Sequence, residues 1–594
     1  MVPGIHTTGG RAHRGSGLIL CGALIVAPPA LGQEGATRDD DRGALLLAPT
    51  QGRPAVVLPG GAVELCVCVA SAPERVRVEL HDRRWGTRLE LALSETAAAD
   101  VAACRPLRLA IPPDASTGAY DVEVRIDEQT IRARHAVAVV APGARTRVVH
   151  LGAMHLGEVG APEFEFGLIR ELNLLAPTLI IMTGSYVDPT HDDPPDGWRR
   201  MMDALAQIDA PVVMACGEHD DPRLYSELVA PSPVGVVETP GLRVVVLYDH
   251  TGRPLSGDPG QRRWIESVFA ATPADTLTVV VGHAALPSLL GEWHTGGVLS
   301  ARVREARLGL WFTSAPRRGD EVRRLELAAA AAPMLLASAA VASRSMRDGS
   351  DGVARFRVVE IDGARVASPG TSTESEPLGV LLAVGRLTVH AERSADDPPT
   401  RAAVQVVNHH PFALRDLRVP MRVRAAGDAR PWVRGGRLER AERRGDEWDC
   451  SVRFDLPDKG ALRIVAGTEP APEPADLRVA FELPGSWSAR ADGALVGAAE
   501  SRACLRVTNA SAAAAQVAPL VRLDGSLVPY RLEGADGPVA TAYRLRLEPG
   551  ESVTLQPDWS AVTVAPGRRM LQVYLKGSPD WTVVSQALAI APAP

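Results

Sequence analysis

The sequence predicts a multidomain chain in which one α/β domain sits among three β-sandwiches. Three observations carry that fold class. At 594 residues the chain exceeds what a single hydrophobic core can serve. The regions over 55–142 and 380–594 show short strands with no helical periodicity, and the alternation is clear in Val76, Val78 and Leu80 and in Tyr120, Val122, Val124 and Ile126 of the first. Between those regions, continuous apolar runs alternate with amphipathic stretches, the pattern of strands buried on both faces and covered by helices.

The chain opens on a segment that reads as an export signal over residues 1–32. Arg11 and Arg14 precede the apolar run GLILCGALIVAPPALG, and Ala-Leu-Gly before Gln33 supplies small residues for cleavage. Pro28 and Pro29 interrupt the run, which is too short to span a bilayer; an uncleaved anchor is the alternative. The expected destination is outside the cytoplasm, whether periplasm, cell surface or medium, with no membrane span once the signal is removed. Residues 33–54 are polar and charged and read as a loose leader. Residues 55–142 form the first sandwich, immunoglobulin-like in its strand spacing, closing on IPPDASTGAYDVEV. Cys66 and Cys68 share one face of VELCVCVA, which favours a core position or a disulfide over a metal ligand; Cys104 is within reach of either.

Residues 147–366 carry the α/β pattern. Its strands are RVVHLG, TLIIMTG, PVVMACG, LRVVVLYD and LTVVVGH; Leu168, Ile169, Leu172 and Leu175 share one helical face, as do Trp198, Met201, Met202, Leu205 and Ile208. A linker over 367–379 leads to a sandwich at 380–467, and a Pro-rich linker over 468–476 leads to the last sandwich at 477–594. The VVN and RVTN strands of these two sandwiches echo each other.

A net charge of -7 without a basic stripe argues against nucleic acid as a partner. Aromatics make up 4% of the chain, so its cores rely on Val, Leu and Ala. No Gly-rich nucleotide loop and no serine or cysteine nucleophile motif stands out.

Functional loops of an α/β sheet lie beyond the carboxyl ends of its strands. Here those loops read Gly152-Ala153-Met154-His155, Gly184-Ser185-Tyr186-Val187-Asp188, Gly217-Glu218-His219-Asp220, Gly282-His283-Ala284 and Ser314-Ala315-Pro316-Arg317. This order resembles the calcineurin-like metallophosphoesterases, whose loops read Asp-x-His, Gly-Asp-x-x-Asp, Gly-Asn-His-Asp/Glu, Gly-His and Gly-His-x-His. The GQRRWIESVFAATPADTLTVVVGH stretch is similar to the family's Gln-x-x-Trp-Leu helix and Gly-His strand, and FRVVEIDGARV to its closing hairpin. A sandwich ahead of such a domain is similar to the architecture of purple acid phosphatases. The resemblance implies a four-layer core of two sheets flanked by helices, and two metal ions whose bound hydroxide attacks phosphorus.

Carried over residue by residue, the resemblance leaves that chemistry incomplete. His155, Asp188, Glu218 and His283 fall on metal-ligand positions, and His219 falls on the proton-donor position. Ala153, Ser185, Ala315 and Arg317 replace ligands. Paired dications need anionic oxygens to hold their charge and spacing; alanine has no donor atom, and an arginine repels what the site must bind.

The reading is an exported pseudoenzyme that serves as a binding or scaffolding module for a protein, a glycan or a phosphate-bearing ligand, with no cofactor. Arg317 and Arg318 offer an anion grip in place of metal. The alternatives are an active phosphoric ester hydrolase with an unusual or single-metal site, any ion being a single divalent one (zinc, manganese or iron), and a purely structural envelope protein.

Overall fold

The computed structural model describes residues 45–68, 75–96, 104–141, 145–152, 154, 161–187, 193–248, 259–273, 276–283, 308–314, 322–325, 334–338, 355–362, 365–367, 379–391, 398–469, 477–483, 487–490, 495–496, 503–523, 526–534, 543–564, 566–577 and 581–592. The expected signal peptide lies outside the described residues. No helix among the described residues is long and apolar enough to cross a membrane.

The first sandwich packs a four-stranded sheet on a five-stranded one. Strand Ala62–Cys68 alternates, with Val63, Leu65 and Val67 inward, and these meet Leu80, Tyr120, Val122 and Val124 of the facing sheet. The expected leader ends earlier than its polarity suggested. Leu45–Ala48 pairs antiparallel with Ala62–Cys68, and Leu46 enters the core. A four-residue strand is too short to show a period, so it was hidden in a polar context.

Residues 51–53 plug the central domain. Gln51 Nε2 donates to the Met202 carbonyl at 2.9 Å, and Met214 N–H donates to the Gly52 carbonyl at 3.2 Å. Arg53 donates to the carbonyls of Met214 and Pro233. Gly52 is required there, because a Cβ would lie 2.1 Å from Val229 Cγ1.

The central domain holds two six-stranded mixed sheets. In the first, Thr146–Leu151, Leu179–Met182 and Val212–Met214 run parallel, and Arg355–Asp362 runs antiparallel to Thr146–Leu151. In the second, Leu242–Val246, Leu277–Val281, Leu308–Thr313 and Met334–Ser338 run parallel, with Gly235–Thr239 and Val322–Leu325 antiparallel at the edges. Val148, Leu179, Ile181 and Val213 of one sheet share a core with Val244, Val246, Val279 and Phe312 of the other. The alternate residues Val149, Leu151, Ile180 and Met182 face a second core with the helices.

Helix α1 spans Ala161–Leu175, α2 Pro194–Leu205, α3 Pro222–Leu228 and α4 Pro259–Ala270. Asp193 caps α2 by accepting Asp196 N–H. Asp221 caps α3 in the same way through Arg223 N–H at 2.8 Å. Gln261 ties α4 to the end of the second sheet, exchanging two 2.9 Å hydrogen bonds with the Tyr248 backbone.

Val380–Ala383, expected to open the third domain, instead pairs antiparallel with Arg355–Asp362 in the central sheet. Short apolar strands carry no mark of which sheet they join. The third domain proper begins at Leu387–Ala391 and packs sheets of four and three strands. Its core runs without a break into the outer face of the central domain, from Leu168 and Leu172 to Leu417, Val419 and Ile464. Glu171 on α1 accepts N–H groups from Gly385 and Leu387 at 2.7 and 3.1 Å, and Arg147 donates to the Arg415 carbonyl at 2.8 Å.

The Arg-rich RGGRLERAERRGDEW stretch is a hairpin, Arg437–Arg444 pairing antiparallel with Glu447–Leu456, and it touches the first sandwich. Trp85 of the first sandwich lies under Arg440 at 4.5 Å and beside its neighbour Arg84 at 5.3 Å. Arg84 also pairs with Asp209 of the central domain at 2.7 Å. The first three domains are therefore in mutual contact. The last sandwich, with sheets of four and seven strands, has its own core around Val507, Val521, Leu555 and Val573.

Candidate functional site

The carboxyl ends of the central strands converge on a buried polar knot. Thr183 and Gly184 leave Leu179–Met182; Cys216 and Gly217 follow Val212–Met214; His283 follows Leu277–Val281; Ser314 follows Leu308–Thr313. Gly184 and Gly217 meet back to back. A Cβ on Gly184, whose φ is 93°, would lie 2.6 Å from Gly217 Cα, and one on Gly217 would lie 2.5 Å from Ser185 N. Only glycine lets these two loops approach so closely.

Asp220 organises the knot. It is 3% exposed, and its carboxylate accepts N–H groups from Gly217 at 2.7 Å, Tyr186 at 2.8 Å and Ser185 at 2.9 Å. Burial raises its pKa above the ordinary aspartate range, and those three backbone bonds together with nearby His283 pull the other way. Ser185 is held in the left-handed region at φ 55° and is 2% exposed.

His283 is also buried. Its Nδ1 lies 2.7 Å from the Thr183 carbonyl, which can only accept, so Nδ1 carries the proton. Nε2 then presents its lone pair 3.5 Å from Ser185 Oγ. Ser314 Oγ donates to the same Thr183 carbonyl at 2.9 Å and touches Thr183 Oγ1 at 3.0 Å. His150 Nε2 lies 3.2 Å from Thr183 Oγ1, and its ring packs 4.7 Å from Phe312. Burial, reinforced by the Arg357 cation, pulls the His150 pKa down to about 3, so the ring is neutral.

The candidate residues divide into three groups. Ser185 and His283 come together. Glu218 and His219 stand outside the knot, half exposed and paired with each other at 3.3 Å. His155, Asp188, Ala153, Ala315, Arg317 and Arg318 lie outside the described residues. Reading by strand ends alone passed over Asp220, Thr183 and His150 as working parts. Asp220 had one available signal: it is a carboxylate three residues after Gly217 and one residue before a helix cap.

Among the described residues these donors do not fit a dimetal centre. Asp220 spends both carboxylate oxygens on backbone N–H groups, Ser185 offers a neutral hydroxyl, and only His283 Nε2 is placed as a ligand nitrogen. The group of at least three potential ligands found among the described residues is elsewhere, at Glu79, His81 and Glu123 on the first sandwich. There Arg125 and Arg132 already neutralise Glu123, which leaves little charge for a cation.

No protein-family model and no curated protein matches the sequence. Among solved structures, the chain is similar to a purple acid phosphatase from yellow lupin (Lupinus luteus) seeds, at 8% identity and a TM-score of 0.35, covering 62% of this chain and 72% of that one. It is also similar to GAP50, the anchor in the inner membrane complex of Plasmodium, at 12% identity and a TM-score of 0.27, covering 36% of this chain and 81% of that one. Likenesses of this size are weak, and they assign neither a family nor an activity.

Proposed function

We propose that this is an exported protein whose central metallophosphoesterase-like domain does not hydrolyse esters. It works instead as a binding or scaffolding module, presented among sandwiches that engage a protein, a glycan or a phosphate-bearing ligand. The observation that carries this reading is Ser185. The resemblance calls for a carboxylate bridging two metal ions at this position, and the chain supplies a buried hydroxyl. Among the described residues the carboxylate that meets Ser185, Asp220, is turned to backbone N–H groups. Charge supports this reading, because two dications brought close together need anionic ligands that the described residues here do not provide.

The test is the metal content of the purified full chain, followed by turnover of a generic phosphate ester with added manganese, zinc or iron. The expected outcome is less than one metal ion per chain and no turnover above buffer. Two ions per chain, with turnover abolished by His219→Ala, would overturn the reading. One observation favours a single-ion site as the second reading: the Thr183 carbonyl fixes the His283 tautomer with Nε2 open, as metal-binding histidines are commonly held. One ion per chain, lost in His283→Ala, would support it.

A further inference from the structure

Three cysteines of the first sandwich lie on two neighbouring strands, and the ladder between those strands distinguishes them. Ala62–Cys68 pairs antiparallel with Cys104–Ala110, with Cys68 opposite Cys104 and Cys66 opposite Pro106. Val63, Leu65 and Val67 point into the core, so Cys66 and Cys68 stand on the outer face, partly exposed.

Pro106 identifies the kind of rung. Rungs of an antiparallel ladder alternate between hydrogen-bonded and non-hydrogen-bonded pairs, and proline has no N–H to contribute to the former. On the side of Leu93–Thr96, the Ala110 N–H donates to the Ala92 carbonyl at 3.4 Å, so the Ala62–Ala110 rung is of the non-hydrogen-bonded kind, and Pro106, four residues along an unshifted ladder, is in the same phase. The Cys66–Pro106 rung is thus of the non-hydrogen-bonded kind. So is the rung two residues away, where Cys68 faces Cys104.

Distances then separate the candidates. Facing residues on a non-hydrogen-bonded rung have Cα atoms about 4.5 Å apart, within the roughly 4.4–6.8 Å that a disulfide spans. Cys66 is diagonal to Cys104, at about 7–8 Å, outside that range. Cys68 ends its strand and Cys104 begins its own, so the rung closes the end of the ladder.

We propose that Cys68 and Cys104 form a cross-strand disulfide that closes the outer sheet of the first sandwich, while Cys66 does not take part. The oxidant is a small-molecule or protein disulfide. One cysteine thiolate attacks a sulfur of that oxidant, forming a mixed disulfide and expelling one thiolate. The second cysteine thiolate then attacks the protein sulfur of the mixed disulfide and expels the other thiolate. Two cysteine thiols are oxidised, one oxidant disulfide is reduced to two thiols, and the cysteine protons pass to the departing thiolates. The inference is independent of how the central domain is read.

The experiment uses the full chain equilibrated with oxidised glutathione, alkylated, digested with trypsin without reduction and analysed by mass spectrometry. Cys66 and Cys68 share a tryptic peptide, so serine variants decide between them. The expected result is a cross-linked peptide pair, lighter by two hydrogens than the separate peptides, in the wild type and in Cys66→Ser. Cys68→Ser and Cys104→Ser should lack it, and the wild type should lose two titratable thiols on oxidation. If either of those two variants fails to fold, fragmentation of the wild-type pair must place the link on Cys68. A link on Cys66, a link that survives Cys68→Ser, or no link in the oxidised wild type would overturn the proposal.

Discussion

The Asp220 carboxylate accepts the Ser185 N–H at 2.9 Å and so holds a left-handed serine at the mouth of the central sheets. The same carboxylate holds Tyr186 and Gly217, which makes it the common anchor of two loops. In Asp220→Asn one acceptor oxygen becomes an NH₂ group facing backbone N–H donors. The expected cost is about 2–4 kcal/mol, because buried donors are left unsatisfied. Amide exchange would show it: protection of Ser185, Tyr186 and Gly217 should fall by about thirtyfold or more, at about 1.4 kcal/mol per factor of ten.

His150 makes the fold sensitive to acid. Its pKa falls from an ordinary 6.5 to about 3 on folding, because burial disfavours the charged ring and Arg357 repels it. Stability from this group is full above pH 6.5 and is lost as the pH falls towards 3. Between pH 7 and 5 the loss is about 2 kcal/mol. His150→Leu should remove that slope, since Thr183 Oγ1 keeps Ser314 and the Leu151 carbonyl as partners. Urea midpoints of the wild type and the variant at the two pH values would test this.

Glu171 acts in the opposite sense. Burial between α1 and the third domain raises its pKa to about 7, and the two N–H groups it accepts offset only part of that rise. Its contribution is present below pH 4.5 and is lost as the pH rises through 7. From pH 5 to 8 the loss is about 2–3 kcal/mol. Glu171→Gln keeps an acceptor for Gly385 and Leu387 but cannot ionise, so exchange at those amides should lose its pH-dependent weakening.

Asn408 and Asn509 are fully buried at matching corners of the third and fourth domains. Asn408 Nδ2 donates to the Phe412 and Pro457 carbonyls at 2.8 and 2.9 Å; Asn509 Nδ2 donates to Ala513 and Leu547 at 2.8 and 3.0 Å. In each, Oδ1 accepts the N–H two residues on. Asn509→Asp loses both donors and should destabilise the last sandwich by about 2–3 kcal/mol, while the His150 and Glu171 slopes stay unchanged. Differential scanning calorimetry should show one lowered transition.

That pair of asparagines also shows what the sequence made legible. The echo between VVN and RVTN was visible as a pattern, and its cause is one corner built twice. Long runs such as TLIIMTG and LTVVVGH revealed their strands because burial on both faces imposes an unbroken apolar code. Leu45–Ala48 and Val380–Ala383 were misplaced, because four residues carry no period and their partners are distant in sequence. At the site, Ser185 and His283 were found by their place after strands. Asp220 was passed over as a working part because its role is to bind backbone, and no spacing rule encodes that.

The Gln51–Arg53 plug bears on how the chain can be divided. Gly52 pairs with Met214, on the outermost strand of the first central sheet, and Arg53 covers carbonyls beside it. Removing the first sandwich would strip that rim and leave a ready template for strands of another molecule. A chain that starts at residue 54 and keeps its later domains should therefore self-associate, and one cut before residue 45 should stay solitary.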